Sequence, residues 1–347
     1  MPDLSQTAPG MTKNVGRPKP VTMEDMAKLA GVHSRTVADA LKGTGRVAPA
    51  TREKVLRIAK ELNYVPNAAA RALATGRTGI VGVLSGPLNE QYHANTVHLL
   101  ETYLTGHSYE TLLLHTRRNV QDLVNATKKA MVDGVIVVGI NPLTWDFLHL
   151  SKVSLPCVLI DICNLDFVDH ITLDLRPAVE EALELMLAAK RQRVAYIIND
   201  YNEASYTELR MATYLDVMKR VGRTPETINM NTNVSAEERI ATISQYIQEK
   251  GCPDAILCQN DESAIYTYRA LIGLGYRVPE DALLVGCDGL PYMEYFATPL
   301  STIQLPMDEI CEIATRFLQQ RMNNPDLPIQ HATLQGRLVV RKSLSAN

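Results

Sequence analysis

The chain has 347 residues, of which 46% are hydrophobic and 21% charged, enough to bury a substantial core and to form two or three folded units. It contains no run of eighteen apolar residues, and residues 1–6 lack the charged-then-apolar pattern of a secretory signal. The six cysteines form no C-x-x-C pair, and the eight histidines show no metal-ligand spacing. We therefore predict a cytoplasmic protein without membrane contact, metal or cofactor, in which the cysteines are small buried hydrophobes.

The net charge of −3 is distributed unevenly along the chain. Residues 11–77 carry thirteen Lys or Arg against five acids, a net charge of +8, whereas residues 78–347 carry twenty-two against thirty-two, a net charge of −10. A basic end on an acidic body indicates one surface for phosphate and a second function elsewhere. A solvated basic helix would explain the charge alone, but not the motifs that accompany it.

Residues 1–20 are rich in Pro, Gly, Ser and Thr and have no apolar period, which predicts a flexible basic arm. Within them, Gly16-Arg17-Pro18-Lys19 resembles the core of an AT-hook. Arg17 is therefore a candidate for a contact in an A·T-rich minor groove. The alternative is a plain solvated linker.

Residues 21–66 have the pattern of a small helical domain. Thr22 is predicted to cap a first helix, which Gly31 ends, and further helices are predicted at about 33–42 and 49–63. Two short helices across a glycine turn make a helix-turn-helix. The outward side of the second helix carries the polar residues Ser34, Arg35, Thr36 and Asp39.

Several runs in this region resemble the DNA-binding headpiece of the LacI/GalR (lactose/galactose repressor) family of transcriptional regulators. They are Val21-Thr-Met-Glu-Asp-Met-Ala-Lys-Leu-Ala-Gly-Val32, Thr36-Val37, Thr51-Arg-Glu-Lys-Val55 and Leu62-Asn-Tyr-Val-Pro-Asn67. The spacing holds without gaps to Leu73. The resemblance implies that the second helix lies in the major groove of DNA, and it assigns the following residues of this region to the DNA interface: Thr22, His33, Ser34, Arg35, Thr36, Asp39, Asn67, Arg71 and Leu73.

Ser34 and Arg35 begin the predicted recognition helix and are the candidates for reading bases, because a guanidinium group can engage guanine O6 and N7 together. A phosphate contact or a solvated side chain is the alternative for each. The chain departs from the family pattern at His33, Ala38 and Asp39, so we expect an operator that differs from the family's usual sequence.

Residues 67–78 match the hinge helix of the same family. The segment is Ala-rich and too short to be reliably helical alone in water, so pairing with a second hinge and with DNA would order it. By resemblance, Leu73 is the apolar wedge that enters the minor groove and kinks the operator. Ordinary packing of a short linker helix is the alternative.

Beyond residue 78, short apolar runs alternate with amphipathic segments. Buried strands are predicted at 80–84, 111–115, 134–140, 157–161, 194–198, 255–258 and 282–287. Helices are predicted at 92–106, 120–132, 177–190, 206–222, 235–250, 262–275 and 307–323. This alternation predicts an α/β fold with two parallel sheets, in which ligands bind beyond the carboxyl ends of the strands.

The family resemblance continues through this region, in Asn260-Asp261, Val285-Gly-Cys-Asp288-Gly, Pro299-Leu-Ser-Thr-Ile-Gln304 and Leu338-Val-Val-Arg-Lys-Ser343. It implies a periplasmic-binding-protein-like (type I) core over 79–347, with two subdomains and chain crossings near residues 173 and 304. Effector-contacting positions then fall on Tyr92, His93, Asp161, Arg210, Asn260 and Asp288. Asn141, which follows the predicted strand at 134–140, is a further candidate because of its place at a strand end. Asp261 is expected to cap the following helix.

The predicted fold class is thus an all-α helix-turn-helix headpiece plus an α/β core of two subdomains. The predicted protein is a homodimeric repressor that binds a near-palindromic double-stranded DNA operator under control of a small, polar, sugar-like effector. No nucleophile elbow, phosphate loop or catalytic Cys–His pattern supports an enzyme. A DNA-binding architectural regulator without an effector, or an exported solute-binding protein, is the alternative.

Overall fold

The computed structural model describes residues 21–64, 76–114, 132–139, 155–161, 167–200 and 208–345. The chain divides into two compact units, Met1–Arg77 and Thr78–Asn347. None of the helices within the described ranges combines the length and apolar character that a bilayer-spanning helix requires.

The first unit contains three helices, α1 (Met23–Ala30), α2 (Ser34–Lys42) and α3 (Pro49–Glu61). Thr22 caps α1 as predicted: its hydroxyl accepts the Asp25 N–H at 3.2 Å, and the Asp25 carboxylate accepts the Thr22 N–H at 2.9 Å. The helices share a small apolar core that includes Met26, Val37 and Val55, none of which has exposed surface.

Two cations on α3 bind the carboxyl ends of the other helices in this unit. Arg52 donates to the carbonyls of Gly43 at 3.1 Å and Thr44 at 3.2 Å, just beyond α2. Lys54 Nζ donates to the carbonyl of Ala30, the last residue of α1, at 2.9 Å. Helix carboxyl ends expose unpaired carbonyls and carry partial negative charge, so these contacts stabilise the turns. Part of the basic charge of this unit is therefore used internally.

The second unit is built on two six-stranded sheets flanked by helices. Its strands are β1 (Ile80–Leu84), β2 (Glu110–Leu114), β3 (Gly134–Val138), β4 (Cys157–Ile160), β5 (Asp169–Asp174), β6 (Val194–Asn199), β7 (Glu226–Met230), β8 (Ala255–Cys258), β9 (Leu283–Asp288), β10 (Ser301–Gln304), β11 (His331–Gln335) and β12 (Arg337–Val339). Its helices are α4 (Gln91–Gly106), α5 (Arg176–Ala188), α6 (Leu209–Arg220), α7 (Ala236–Lys250), α8 (Asp261–Gly273) and α9 (Met307–Asn323), with 3-10 turns at Pro291–Glu294 and Lys342–Leu344.

The strand orders are β11-β5-β4-β3-β1-β2 and β12-β10-β9-β8-β6-β7. Adjacent strands are parallel except β10 and β12, which pair antiparallel. The chain passes between the sheets three times: after β5, after β10, and between β11 and β12. Helix α9 follows β10 of the second sheet but packs on α4 and on strands β3–β5 of the first. The two sheets are thus joined by three short crossings.

The seven predicted strands are all present, with ends that agree to within one residue except for β3, which ends at Val138, two residues before the predicted end. The structure adds β5, β7, β10, β11 and β12, which the sequence analysis did not predict. These strands alternate polar and apolar side chains or are short, as in His331-Ala-Thr-Leu-Gln335, so they lack the continuous apolar run of a strand buried on both faces. The predicted helix at 120–132 lies almost wholly outside the described residues.

The cysteines follow the predicted pattern with one correction. Cys157, Cys258, Cys287 and Cys311 are buried, and burial raises the pKa of the Cys157 thiol to about 12. Cys252 is only half-buried, because it lies on the turn before β8 where its thiol contacts the Pro253 carbonyl at 3.2 Å. Cys163 lies outside the described residues.

A buried ion pair holds the edge of the first sheet. Asp169, at the start of β5, is almost fully buried and accepts two hydrogen bonds from Arg321 of α9, from Nε at 2.9 Å and Nη2 at 2.7 Å. The same carboxylate accepts the backbone N–H of Gln330 at 2.8 Å and its side-chain amide at 3.0 Å. One carboxylate therefore joins β5, α9 and the start of β11.

Replacing Arg321 by Met should lower the free energy of unfolding by about 3–5 kcal/mol, because the Asp169 carboxylate would remain buried without its partner. Urea denaturation measures this change. Arg277→Met is the matched control, since Arg277 forms a bidentate pair with Asp281 in which its own side chain is 69% exposed. Equal stability of the two variants would contradict the role assigned to the buried pair.

Candidate functional site

Polar residues follow the carboxyl ends of strands in both sheets of the second unit. Asp161 comes directly after β4, and Asp288 is the last residue of β9. Both adopt positive φ, +67° and +126°, which residues other than glycine rarely do. The value at Asp161 is that of an ordinary left-handed turn residue such as Lys190, whereas the value at Asp288 is strained. The strain singles out Asp288, and the position at a strand carboxyl end makes both aspartates candidate site residues.

Arg210, in the first turn of α6, is the central cation of this site. Its Nε donates to Glu208 Oε1 at 2.6 Å, and its Nη1 donates to the Gln259 carbonyl at 2.8 Å and contacts Cys287 Sγ at 3.8 Å. Its Nη2 makes no hydrogen bond to the described residues. The guanidinium group is thus held from two sides, with one edge left available.

Glu208 positions Arg210, and the sequence analysis missed it. Its carboxylate caps α6 by accepting the N–H groups of Arg210 at 3.1 Å and Met211 at 3.0 Å, and it accepts the Tyr196 hydroxyl at 3.2 Å. Burial alone would raise the pKa of Glu208, but the charge and hydrogen bonds of Arg210 and the two backbone donors lower it overall. The helix was predicted to begin at residue 206, whereas it begins at Leu209, so the sequence pattern placed Glu208 inside the helix and gave no sign that it caps it.

Tyr92, Asp161 and Asp288 lie within electrostatic reach of Arg210 and of one another. Arg210 lies close enough to Asp161, which is exposed to solvent, to favour its charged form. Burial raises the pKa of Tyr92 well above its ordinary value, with further contributions from Asp161 and Asp288. The structure thus brings together four of the predicted effector-binding residues from distant parts of the chain.

Two of these groups lack protein partners. The Asp161 carboxylate is exposed to solvent and makes no hydrogen bond within the described part of the chain. The Tyr92 hydroxyl is buried without a partner there. Buried polar groups are normally hydrogen-bonded. A cavity of about 330 Å³ lies beside Tyr92 and Asp288. Its other lining residues include Asn95, Leu99, Gln304 and Asp308. The site therefore has space on the side of Tyr92 and Asp288, and a buried hydroxyl without a protein partner that a polar molecule could satisfy.

His93 lies on the first-sheet side of the site. Its ring packs over Gly86, where there is no room for a Cβ atom, and is edge-on to Tyr92 with ring centroids 5.2 Å apart. Nε2 is 3.5 Å from the Glu90 carboxylate, and Nδ1 is buried without a hydrogen-bond partner in the described residues. Burial lowers the pKa of His93, so the neutral imidazole predominates at pH 7.

Asn260, and not Asp261 as predicted, caps helix α8. Asn260 is the N-cap of α8, where its side-chain oxygen accepts the Ser263 N–H at 2.9 Å. Asp261 does not cap the helix: it accepts the N–H groups of Gly289 at 2.9 Å and Leu290 at 2.7 Å. The helix-capping expectation for Asp261 was wrong, because its side chain is buried beneath the loop that follows β9. Asn260 can present only its amide N–H groups to a ligand.

Charged groups that the sequence analysis did not identify surround Glu90. Arg239 and Glu262 form an ion pair at 3.5 Å, and the Arg239 guanidinium lies 5.4 Å from the centre of the Tyr266 ring. Burial and then Glu262 raise the pKa of Glu90, while Arg239 lowers it. Glu90 of the first subdomain therefore faces these residues of the second. They lie on α7 and α8, far from Glu90 along the chain, so no local pattern could reveal them.

The DNA-binding candidates lie around the start of α2. Val37 and Ala40 are buried, whereas His33 and Arg35 are exposed. Ser34 and Thr36 are half-buried. Asp39 does not project fully outward as predicted: it is half-buried, and its carboxylate packs against Gly45, where an added Cβ atom would lie 3.0 Å from it. The Asp39 side chain is therefore directed toward the turn that follows α2. Thr22 is exposed while capping α1. Arg17, Asn67, Arg71, Leu73 and Asn141 lie outside the described residues.

Two families match this chain: residues 22–67 match the lacI family of bacterial regulatory proteins, and residues 183–344 match the periplasmic binding protein-like domain. The chain belongs to the LacI family. Relatives that align along nearly their whole length are transcriptional regulators. The PurR transcriptional repressor of Photobacterium profundum is 28% identical, with 93% of this chain and 98% of that protein aligned, and the ribose operon repressor of Haemophilus influenzae is 27% identical with the same coverage.

Solved structures of two transcriptional regulators share the fold. The Lac repressor dimer bound to operator and the anti-inducer ONPF superposes with a TM-score of 0.81 at 24% identity, covering 94% of this chain and all of that one. A CelR–cellobiose complex gives a TM-score of 0.67 at 24% identity, covering 93% and 99%. At these identities the likeness establishes the architecture of this LacI-family member and leaves its ligand to be argued from its own residues.

Glu208→Gln should lower the free energy of unfolding by about 1.5–3 kcal/mol at pH 7, through loss of charge-assisted hydrogen bonds. The pKa of Glu208 is lowered in the folded chain, so the stabilisation is present above the ordinary value of 4.5 and is lost as the pH falls through the folded value. Urea denaturation from pH 7 to pH 3.5 should therefore show the difference shrinking below about pH 4.5.

Glu180→Gln is the control, because Glu180 pairs at 3.5 Å with Arg220, whose side chain is 59% exposed. This variant should match the wild type across the pH range. A difference between Glu208→Gln and wild type that stayed constant with pH would rule out the charged Glu208–Arg210 pair as its source.

Proposed function

We propose that this chain is a sequence-specific DNA-binding transcriptional repressor whose operator affinity changes when a small polar effector binds around Arg210. The observation that carries the proposal is the gathering of polar groups from both sheets, Asp161 and Tyr92 from the first and Arg210 and Asp288 from the second. The same chain carries a LacI-type helix-turn-helix. As a DNA-binding protein it acts in the bacterial cytoplasm, and none of its proposed site residues is assigned to catalysis.

The chemistry of the site favours an uncharged or cationic ligand with several hydroxyl groups. Asp161 and Asp288 accept hydroxyl donors, and the free edge of Arg210 donates to a ligand oxygen. Arg210 is shared between Glu208, at 2.6 Å, and the two aspartates, so it offsets their charges only in part. Burial and the nearby Asp261 raise the pKa of Asp288, which also disfavours a further negative charge beside it. A phosphorylated or carboxylated ligand would place like charge against the two aspartates. His93 and the amide groups of Asn260 and Asn141 complete the proposed contacts.

The DNA-binding half of the proposal rests on α2. Its amino-terminal end presents His33, Ser34 and Arg35, and a helix amino terminus carries partial positive charge suited to a polyanion. We assign base reading to Ser34 and Arg35, with Thr22, Thr36 and Asp39 at the margins of the interface. Asn67, Arg71 and the wedge Leu73 would act in the minor groove between two half-sites, and Arg17 would contact the flanking minor groove.

A homodimer gives the effector a means of control. Two copies related by a two-fold axis would read a near-palindromic operator, and the spacing of their reading helices would have to match the half-sites. A ligand that binds both sheets favours a particular arrangement of the two subdomains, so it shifts the population of DNA-competent dimers. The sign of the change in operator affinity distinguishes an inducer from a corepressor.

Ligand binding can be tested by thermal unfolding of the full chain with D-ribose, lactose, cellobiose, D-glucosamine and D-glucose 6-phosphate. An uncharged or cationic member present at about a hundred times its Kd should raise Tm by about 5–10 °C, and the phosphate should not. Asp288→Asn and Arg210→Met should abolish the rise, whereas Arg277→Met, remote from the strand carboxyl ends, should keep it.

If no compound in this panel or in a wider metabolite set changes Tm or DNA affinity, the effector half of the proposal fails. The chain would then be a DNA-binding architectural regulator without an effector. A preference for the phosphorylated sugar would overturn the charge argument alone.

Arg35→Ala should reduce affinity for a duplex selected by the wild type from a random library by about 1–3 kcal/mol, while binding to unrelated DNA changes little. Fluorescence anisotropy at fixed salt measures both affinities. Arg57→Ala is the control, since this exposed α3 side chain lies 3.9 Å from Glu61 and is not assigned to base reading. Equal losses on selected and unrelated DNA would make Arg35 a phosphate contact.

A further inference from the structure

A single carboxylate fastens the first residues of the second unit. Asp133 Oδ1 accepts the N–H of Thr78 at 2.7 Å and its hydroxyl at 2.9 Å, and Oδ2 accepts the N–H of Gly79 at 2.7 Å. The Thr78 hydroxyl in turn accepts the N–H of Ile80 at 3.1 Å, and the Asp133 N–H donates to the Ile80 carbonyl at 2.8 Å. The chain is therefore fixed immediately after Arg77, where the DNA-binding unit ends.

The fastened segment continues into the strands that reach the proposed effector site. Asp133 directly precedes β3, all five residues of which are buried, and β1 begins at Ile80. At the other ends of these two strands, Gly86 and Gly139 both lie against the His93 ring. Parallel strands in a buried sheet move as a rigid body. The Asp133 clamp and the His93 side of the site are thus opposite ends of one rigid element.

The second subdomain contains the same arrangement at the corresponding place. Asp254, which precedes β8, accepts the N–H of Gln192 at 2.9 Å and of Arg193 at 2.8 Å, directly before β6. Strand β8 pairs with β6 as β3 pairs with β1. The two carboxylates are chemically equivalent, but only Asp133 acts on the residues that connect to the DNA-binding unit.

We propose that Asp133 is a positioning residue that sets where the linker leaves the core and thereby maintains discrimination between operator and non-specific DNA. The inference rests on the proposed function. Specific binding requires two linkers and two reading helices in a defined arrangement, whereas non-specific binding needs mainly phosphate contacts from the basic unit. Greater flexibility at residues 78–80 therefore lowers the affinity for the operator and leaves the affinity for non-specific DNA nearly unchanged.

The test compares full-length Asp133→Asn, Thr78→Val and Asp254→Asn. The probes are a duplex selected by the wild type from a random library and poly(dI-dC) at the same salt concentration. Asp133→Asn should weaken binding to the selected duplex by about tenfold, within the range of couplings between sites, and binding to poly(dI-dC) by less than about twofold. Thr78→Val, which removes the hydroxyl and keeps both backbone donors, should give a smaller loss of the same kind.

Asp254→Asn controls for stability, because it removes the equivalent hydrogen bonds away from the linker. It should retain the wild-type ratio of specific to non-specific affinity even where its Tm falls as far as that of Asp133→Asn. Amide exchange should rise at residues 78–80 only in the Asp133 and Thr78 variants.

An unchanged ratio in both Asp133→Asn and Thr78→Val, or an equal loss in Asp254→Asn, would overturn the inference. Should Asp133→Asn fail to fold, the comparison of Thr78→Val with Asp254→Asn decides it. A wild-type chain that selects no DNA would instead refute the proposed function, so the two failures are distinguishable.

Discussion

Parallel pairing of the strands is the constraint on which the second unit depends. Strands that run in the same direction bring their carboxyl ends to one edge, so the residues that follow them share a surface although they are remote in sequence. Asp161 and Asp288 lie at such edges of two different sheets, and the three crossings join these sheets so that both residues lie near Arg210. The amino ends of the same strands form the opposite edge, where Asp133 and Asp254 hold the entering chain. The proposed ligand site and the attachment of the linker are thereby separated by the length of a strand.

Carboxylates do different work at these two edges. Asp133, Asp254 and Asp169 have their oxygens occupied by backbone N–H groups or by Arg321, so they stabilise the local chain. Asp161 has no such partner in the described residues and is open to solvent. An acid whose hydrogen-bonding capacity is unused, at the carboxyl end of a strand, is suited to binding, whereas a saturated acid is suited to support. All of these residues are aspartates, so the number of hydrogen bonds that each carboxylate accepts distinguishes candidate ligand contacts from residues that support the fold.

The cations divide in the same way. Arg210 is paired with Glu208, Arg321 with Asp169, and Arg52 and Lys54 with helix carbonyls. Positive charge available for DNA in the first unit is therefore less than its Lys and Arg content suggests, and the proposed effector site is left acidic. Together these features match a protein that attracts a polyanion at one end and disfavours anions at the other.

The sequence by itself determined the three headpiece helices, the seven buried strands and the family, because capping residues, glycine turns and continuous apolar runs are local signals. Through family resemblance it also proposed Tyr92, His93, Asp161, Arg210 and Asp288 as effector contacts, and the structure places these residues near one another. It missed the five polar or short strands, the Glu208 support, Arg239 and the true role of Asp261. Those depend on partners such as the loop after β9 or the crossing chain, and only the tertiary structure decides which donors a buried carboxylate meets.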